Sequence, residues 1–165
     1  MTIFTQNSSK MKAFSSILGF FALFLSILTI SSCSKSSSSS TSENEQMLSF
    51  ATKNSITYVT DPSGLMYQII NPGTGTKPRA TSTVSASYTG TFMDGRVFDS
   101  SSTPISFPLT GVIKAWQIAV PMIAPGGEIK IITPSSLAYG ASGYSSIPGN
   151  TPLYFDIKLA SIVTF

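Results

Sequence analysis

From Ser63 onward, apolar and polar residues mostly alternate. In "LMYQII" the alternation sets Leu65, Tyr67 and Ile69 on one face. In "TVSASYTGTF" it groups Val84, Ala86 and Tyr88 against Ser85, Ser87 and Thr89. In "LYFDIKL" it sets Leu153, Phe155, Ile157 and Leu159 against Tyr154, Asp156 and Lys158. Period two over such lengths predicts half-buried strands of an antiparallel sheet. Asp94-Gly95, between Thr91 and Phe98, predicts a tight hairpin. "EIKII", entered from Pro125-Gly126-Gly127, predicts a further strand. One stretch breaks the alternation: "VIKAWQIAV", Val112 to Val120, places Ile113, Trp116 and Val120 at helical spacing. Gly111 precedes it and Pro121 limits it, so the predicted helix is short. These elements predict an α+β layer fold, a sheet of about five strands with one helix on its apolar face.

The N-terminal third follows another pattern. Lys10 and Lys12 precede an apolar run whose densest part, Ile17 to Ile30, suits a signal-peptide core and is short for a membrane span. It ends in "ISSCSKSSSSS". An aliphatic residue, two small residues and Cys33 are similar to a bacterial lipoprotein cleavage box. That likeness implies a signal peptide over residues 1–32 and lipid on Cys33. Several acyl chains hold a protein where one holds weakly. A permanent anchor helix or a buried free cysteine is the plainer alternative. Residues 33–42, rich in serine, read as a flexible tether. Residues 43–60 read as a short helical spacer, with Met47, Leu48 and Ala51 on one side. Ser42 and Glu45 suggest a capping box at its start. The spacer suits an edge contact, with a dimer element as the alternative.

Charge and composition narrow the chemistry. Only 10% of the residues are charged, and the formal charge is +3. Without Lys10 and Lys12, eight Lys and Arg face seven Asp and Glu. No basic run remains, so nucleic acid is not an expected partner. One cysteine makes no internal disulfide, and a chain without histidine is a poor prospect for zinc. Tyr139, in the Gly- and Ser-rich "LAYGASG", is the residue whose place most suggests function, since a large aromatic in such a loop needs a reason.

Three ordered blocks carry a family resemblance: "SASYTGTFMDGRVFDSS", "VIKAWQIAVPMIAPGGEIKIITPSSLAYG" and "IPGNTPLYFDIKL". With "DPSGLMYQIINPGTG" in front, residues 61–165 resemble the FKBP-type peptidyl-prolyl isomerases. The resemblance implies a bent antiparallel sheet wrapped around one short helix, with an apolar pocket between them. It implies Trp116 as the pocket floor and Tyr88, Phe98 and Phe155 as walls. Asp99 falls at the rim, Ile113 offers its backbone N–H, and Tyr139 offers its hydroxyl. Val112, Ile105 and Ile147 complete the substrate-binding set. Packing alone also accounts for Tyr88, Phe155 and Trp116, and Asp99 also suits a cap on a turn through "DSSS". The chain departs from the family in places. The loop "SSSTPISF" is short and lacks an arginine to pair with Asp99. Ile105 stands for an aromatic, Ser146-Ile147 for an aliphatic pair, and Ala115 for glycine. These changes bear on macrolide inhibitors more than on isomerisation.

The resemblance implies an enzyme with no metal and no cofactor. Amide rotation faces a barrier of about 18–20 kcal/mol because it breaks C–N resonance. It makes and breaks no bond, so no nucleophile is required. The implied substrates are proline-containing polypeptides, and the implied place is the bacterial cell envelope, on the periplasmic side. A proline-chain-binding chaperone with little turnover, and a glycan-binding lipoprotein, are the alternatives. The sequence is silent on oligomeric state.

Overall fold

The computed structural model describes residues 38–163. The expected signal segment, Cys33 and the start of the serine run lie outside these residues. The elements in order are α1 (Ser38–Lys53), β1 (Val59–Thr60), β2 (Met66–Asn71), β3 (Thr83–Phe92), β4 (Val97–Pro108), α2 (Lys114–Ala119), β5 (Glu128–Thr133) and β6 (Leu153–Val163). The strands form one antiparallel sheet in the order β1-β2-β5-β6-β3-β4. The fold is the expected α+β class. It has six strands rather than about five, because two residues of β1 pair with Met66 and Tyr67.

Alternation does what it predicts in the long strands. Val84 and Ala86 of β3, and Leu153, Phe155, Ile157 and Leu159 of β6, are buried in one cluster with Ile129 and Ile131 of β5. α2 lies on that face and adds Ala115, Trp116 and Ala119, followed by Val120. Successive strand residues point to opposite faces. Met66 and Ile132, beside Leu65 and Ile131, therefore belong to a second cluster on the other face.

α1 covers that second face, which changes the expected picture of one helix on one side. Met47, Phe50 and Ala51 pack against Met66 and Ile132, and Phe50 meets the Tyr154 ring at 5.1 Å. Three N-terminal expectations are corrected. The helix starts at Ser38, so it takes in Ser38 to Ser42 of the expected tether. Ser42 is thus inside the helix and caps nothing; its Oγ accepts from Gln46 Nε2 at 3.4 Å. Leu48 is 37% exposed, and Phe50 takes the buried place assigned to it. The reason is register: the apolar stripe of α1 runs Met47, Phe50, Ala51, three and four residues apart.

Turns follow from glycine where the backbone demands it. Gly95 sits at φ +90° in the β3–β4 turn, where the Phe92 N–H bonds Arg96 O. Asp94 accepts from Arg96 N and Nε and closes the turn. Asp99 to Ser102 continue as strand, so the alternative of Asp99 as a cap on a turn there does not hold.

Phe50→Ala should lower unfolding free energy by about 3 kcal/mol, as buried aromatic truncations do. Leu48→Ala should change it by no more than about 0.5 kcal/mol. Urea unfolding followed by the emission of Trp116 checks both. Equal effects of the two would mean that α1 adds no specific packing.

Candidate active site

A cleft of about 410 Å³ opens between the concave face of the sheet and α2. Its floor is Trp116, only 4% exposed. Trp116 meets Tyr88, Phe107 and Phe155 at centroid distances of 5.1, 5.5 and 5.7 Å, each close to edge-on. Such T-shaped pairs match the positive ring edge to a negative ring face. Phe98 stands edge-on to Phe155 at 5.6 Å and closes the wall.

Gly90 makes that wall possible. A Cβ there would lie 2.6 Å from Phe98 Cζ and 3.0 Å from Phe155 Cε1. The bare backbone of β3 lets the two rings meet across it.

Phe98 and Asp99 are neighbours in sequence, yet both line the cleft. In a regular strand they would point to opposite faces. The ladder shifts between Gly90↔Asp99 and Thr91↔Val97, leaving Phe98 as an extra residue. This bulge breaks the alternation and turns both side chains inward.

Two hydroxyls and one amide supply the polar edge. Tyr88 Oη donates to Asp99 Oδ2 at 2.6 Å. Burial, then the Asp99 hydrogen bond, pushes the Tyr88 hydroxyl well above the usual tyrosine range. Burial, then the negative charge of Asp99, also pushes the Tyr139 hydroxyl up. Both rings thus stay neutral and able to donate at physiological pH. Ile113 was expected within the helix; it is the N-cap of α2. Its N–H has no acceptor among the described residues. Gln117 Nε2 donates to Val112 O at 2.8 Å, which holds the Val112–Ile113 peptide and so aims that N–H.

The cleft brings together Tyr88, Phe98, Asp99, Val112, Ile113, Trp116, Tyr139 and Phe155. Two anticipated residues are not on its lining. Ile105 faces Ala86 across the ladder, but on the edge strand it is left 42% exposed. Ile147 is buried in the main core, where its backbone pairs with Tyr144 in both directions. Three lining residues were missed: Phe107, Gly111 and Tyr144. Phe107, two residues past Ile105 on the same strand, supplies the aromatic that Ile105 was taken to replace. Its sequence signal was the shared parity of the two positions. Tyr144 is 67% exposed and stacks on Tyr139 at 5.4 Å, 13° from parallel. No periodicity in its loop marks it.

Residues 74–160 match the family model of the FKBP-type peptidyl-prolyl cis-trans isomerases. The chain is 41% identical over 138 residues to the FKBP-type isomerase FkpA of Aeromonas hydrophila, covering 82% of this chain and 51% of that one. It is 40% identical over 116 residues to the outer membrane protein MIP of Legionella longbeachae, covering 68% and 50%. The chain spans about half the length of these relatives. The fold matches a crystal structure of a peptidyl-prolyl cis-trans isomerase from Pseudomonas syringae pv. tomato, with a TM-score of 0.68 and 32% identity over 76% of this chain and 94% of that one. On the strength of a matched family model, relatives at two-fifths identity and a shared fold, the chain belongs to the FKBP-type peptidyl-prolyl cis-trans isomerases.

Proposed function

We propose that the protein catalyses cis-trans isomerisation of X-Pro bonds in unfolded or exported proteins. The observation that carries this is an aromatic cleft with an unpaired backbone N–H, that of Ile113, at its edge. A proline ring fits against Trp116 between Tyr88, Phe98 and Phe155. The Ile113 N–H and the Tyr139 hydroxyl donate to carbonyls of the bound chain.

The planar amide carries charge separation that water solvates well and the aromatic cleft solvates poorly. The twisted amide has lost resonance and loses less on entering. Hydrogen bonds that favour the twisted geometry add to this, so the cleft binds the transition state better than the ground state. Lowering the barrier by roughly 5 kcal/mol gives a few-thousand-fold acceleration.

Phe107 speaks against the binding-only alternative. That reading rests on the departures around Ile105 and Ser146, and Phe107 answers the first by filling the aromatic ring around Trp116. We place the protein at the bacterial cell envelope, anchored through lipid on Cys33 and facing the periplasm. The support is the lipoprotein-like "ISSC" ahead of a serine run, together with a relative named as an outer membrane protein.

Three measurements test this reading. A protease-free assay on X-Pro peptides should show turnover by the wild type. Gly90→Ala should lower kcat/KM by about tenfold with the fold retained, since an overpacking strain of about 1–3 kcal/mol falls on the cleft wall. Tyr139→Phe should lose no more than about tenfold, the worth of one hydrogen bond. A wild type without turnover, or a complete loss in Tyr139→Phe, overturns the mechanism.

The catalysed rate should be flat between about pH 6 and 9, because no histidine titrates near neutrality and the raised site tyrosines stay protonated. An inflection near pH 7 in kcat/KM, with a peptide lacking titrating groups, would mean that proton transfer takes part.

Cys33→Ser should move the protein from the detergent phase to the aqueous phase in a bacterium that processes lipoproteins. Identical partitioning of both forms, with no lipid mass on the N-terminal peptide, excludes the anchor.

A further inference from the structure

α1 buries one charged side chain. Glu43 is 8% exposed, and its two oxygens take up both donors of one distant residue. Ser135 N–H donates to Oε2 at 2.8 Å, and Ser135 Oγ donates to Oε1 at 2.8 Å, across 92 positions of sequence. A buried carboxylate is costly unless donors replace its water. An apolar residue would attach α1 to the sheet without that cost, as Met47 and Phe50 do.

The partner explains the acid. Ser135 opens a 3-10 turn, Ser135–Leu137, whose N-cap is Pro134. Proline has no side-chain acceptor for the first free N–H of the turn. Glu43 supplies it from another element. The Ser135 carbonyl then accepts from Ala138 N at 2.9 Å and from Gly140 N at 2.8 Å. Tyr139 sits between these two amides. The residue on each side of it is tied to the residue that Glu43 holds.

We propose that Glu43 is a positioning residue for the cleft: through Ser135 it fixes the turn that sets Tyr139 over the substrate. This rests on the isomerase reading above for its effect on rate, but not for its effect on structure. α1 is then a working part of the site and not a spacer.

The test is a double-mutant cycle read by two methods. Wild type, Glu43→Ala, Tyr139→Ala and the double variant are compared in kcat/KM and in amide exchange at Ala138 and Gly140. Glu43→Ala should lower kcat/KM by about three- to tenfold, and by less than about twofold in the Tyr139→Ala background. Exchange at Ala138 and Gly140 should rise by about tenfold or more, with the β5 amide of Ile131 unchanged. Glu43→Gln keeps a carbonyl acceptor for Ser135 N–H and should recover most of the loss. If Glu43→Ala does not fold, Ser135→Ala replaces it in the cycle; it removes one of the two bonds and should lower the rate by about twofold, again only when Tyr139 is present. Equal losses in both backgrounds would mean general destabilisation and overturn the proposal, as would unchanged exchange at the two amides. A wild type without turnover sinks the isomerase reading alone, and the exchange measurements then decide the link between Glu43 and the Tyr139 turn.

Discussion

The contact on which the site depends is the seating of Trp116 edge-on against three rings. α2 has six residues, far too few to be stable alone. It exists because Ala115, Trp116, Ala119 and the following Val120 are buried on the sheet. Each aromatic pair adds about 0.5–1.5 kcal/mol beyond area burial. The same burial decides where the N-terminus of α2 lies, and hence where the Ile113 N–H points. Remove the indole and the floor, the helix and the donor lose their common support.

Around that seat, the strands depart from regularity where the cleft needs it. The bulge at Phe98 turns an aromatic and a carboxylate to the same side. Asp99 then holds the Tyr88 hydroxyl, and its charge reaches Tyr139. The polar rim is thus set against the aromatic floor by one extra residue in one strand. Under the isomerase reading proposed above, such a site would bind through shape and desolvation, with no call for a group that changes charge near neutral pH.

Much of this was legible in the chain. Alternation in β3 and β6 was plain because one face of each meets the core and the other does not. Trp116 stood out because helical spacing interrupted a β pattern. Asp94-Gly95 marked the hairpin. The failures have physical causes. Ile105 and Phe107 share a face, and sequence spacing does not say which one lies under the helix. Ile147 lies in a loop with no period to follow, so burial there depends on tertiary closure. Glu43 stands among serines and asparagine and reads as a solvated charge, because its partner comes 92 residues later. Leu48 stands three residues from Ala51 and Phe50 three from Met47, so helical spacing alone does not say which of the two is buried.

The sheet order has a bearing on how the chain reaches this state. β6 follows every other described strand, yet it lies between β5 and β3 and joins the two halves of the sheet. Until β6 arrives, the hairpin of β3 and β4 and the pair of β2 and β5 have no ladder between them, and Ile129, Ile131 and Val84 lack their cover. Such non-local pairing is slow and leaves apolar edges open meanwhile. The sheet is therefore completed by its last described strand, and the cleft wall that Phe155 supplies stands only once β6 has paired.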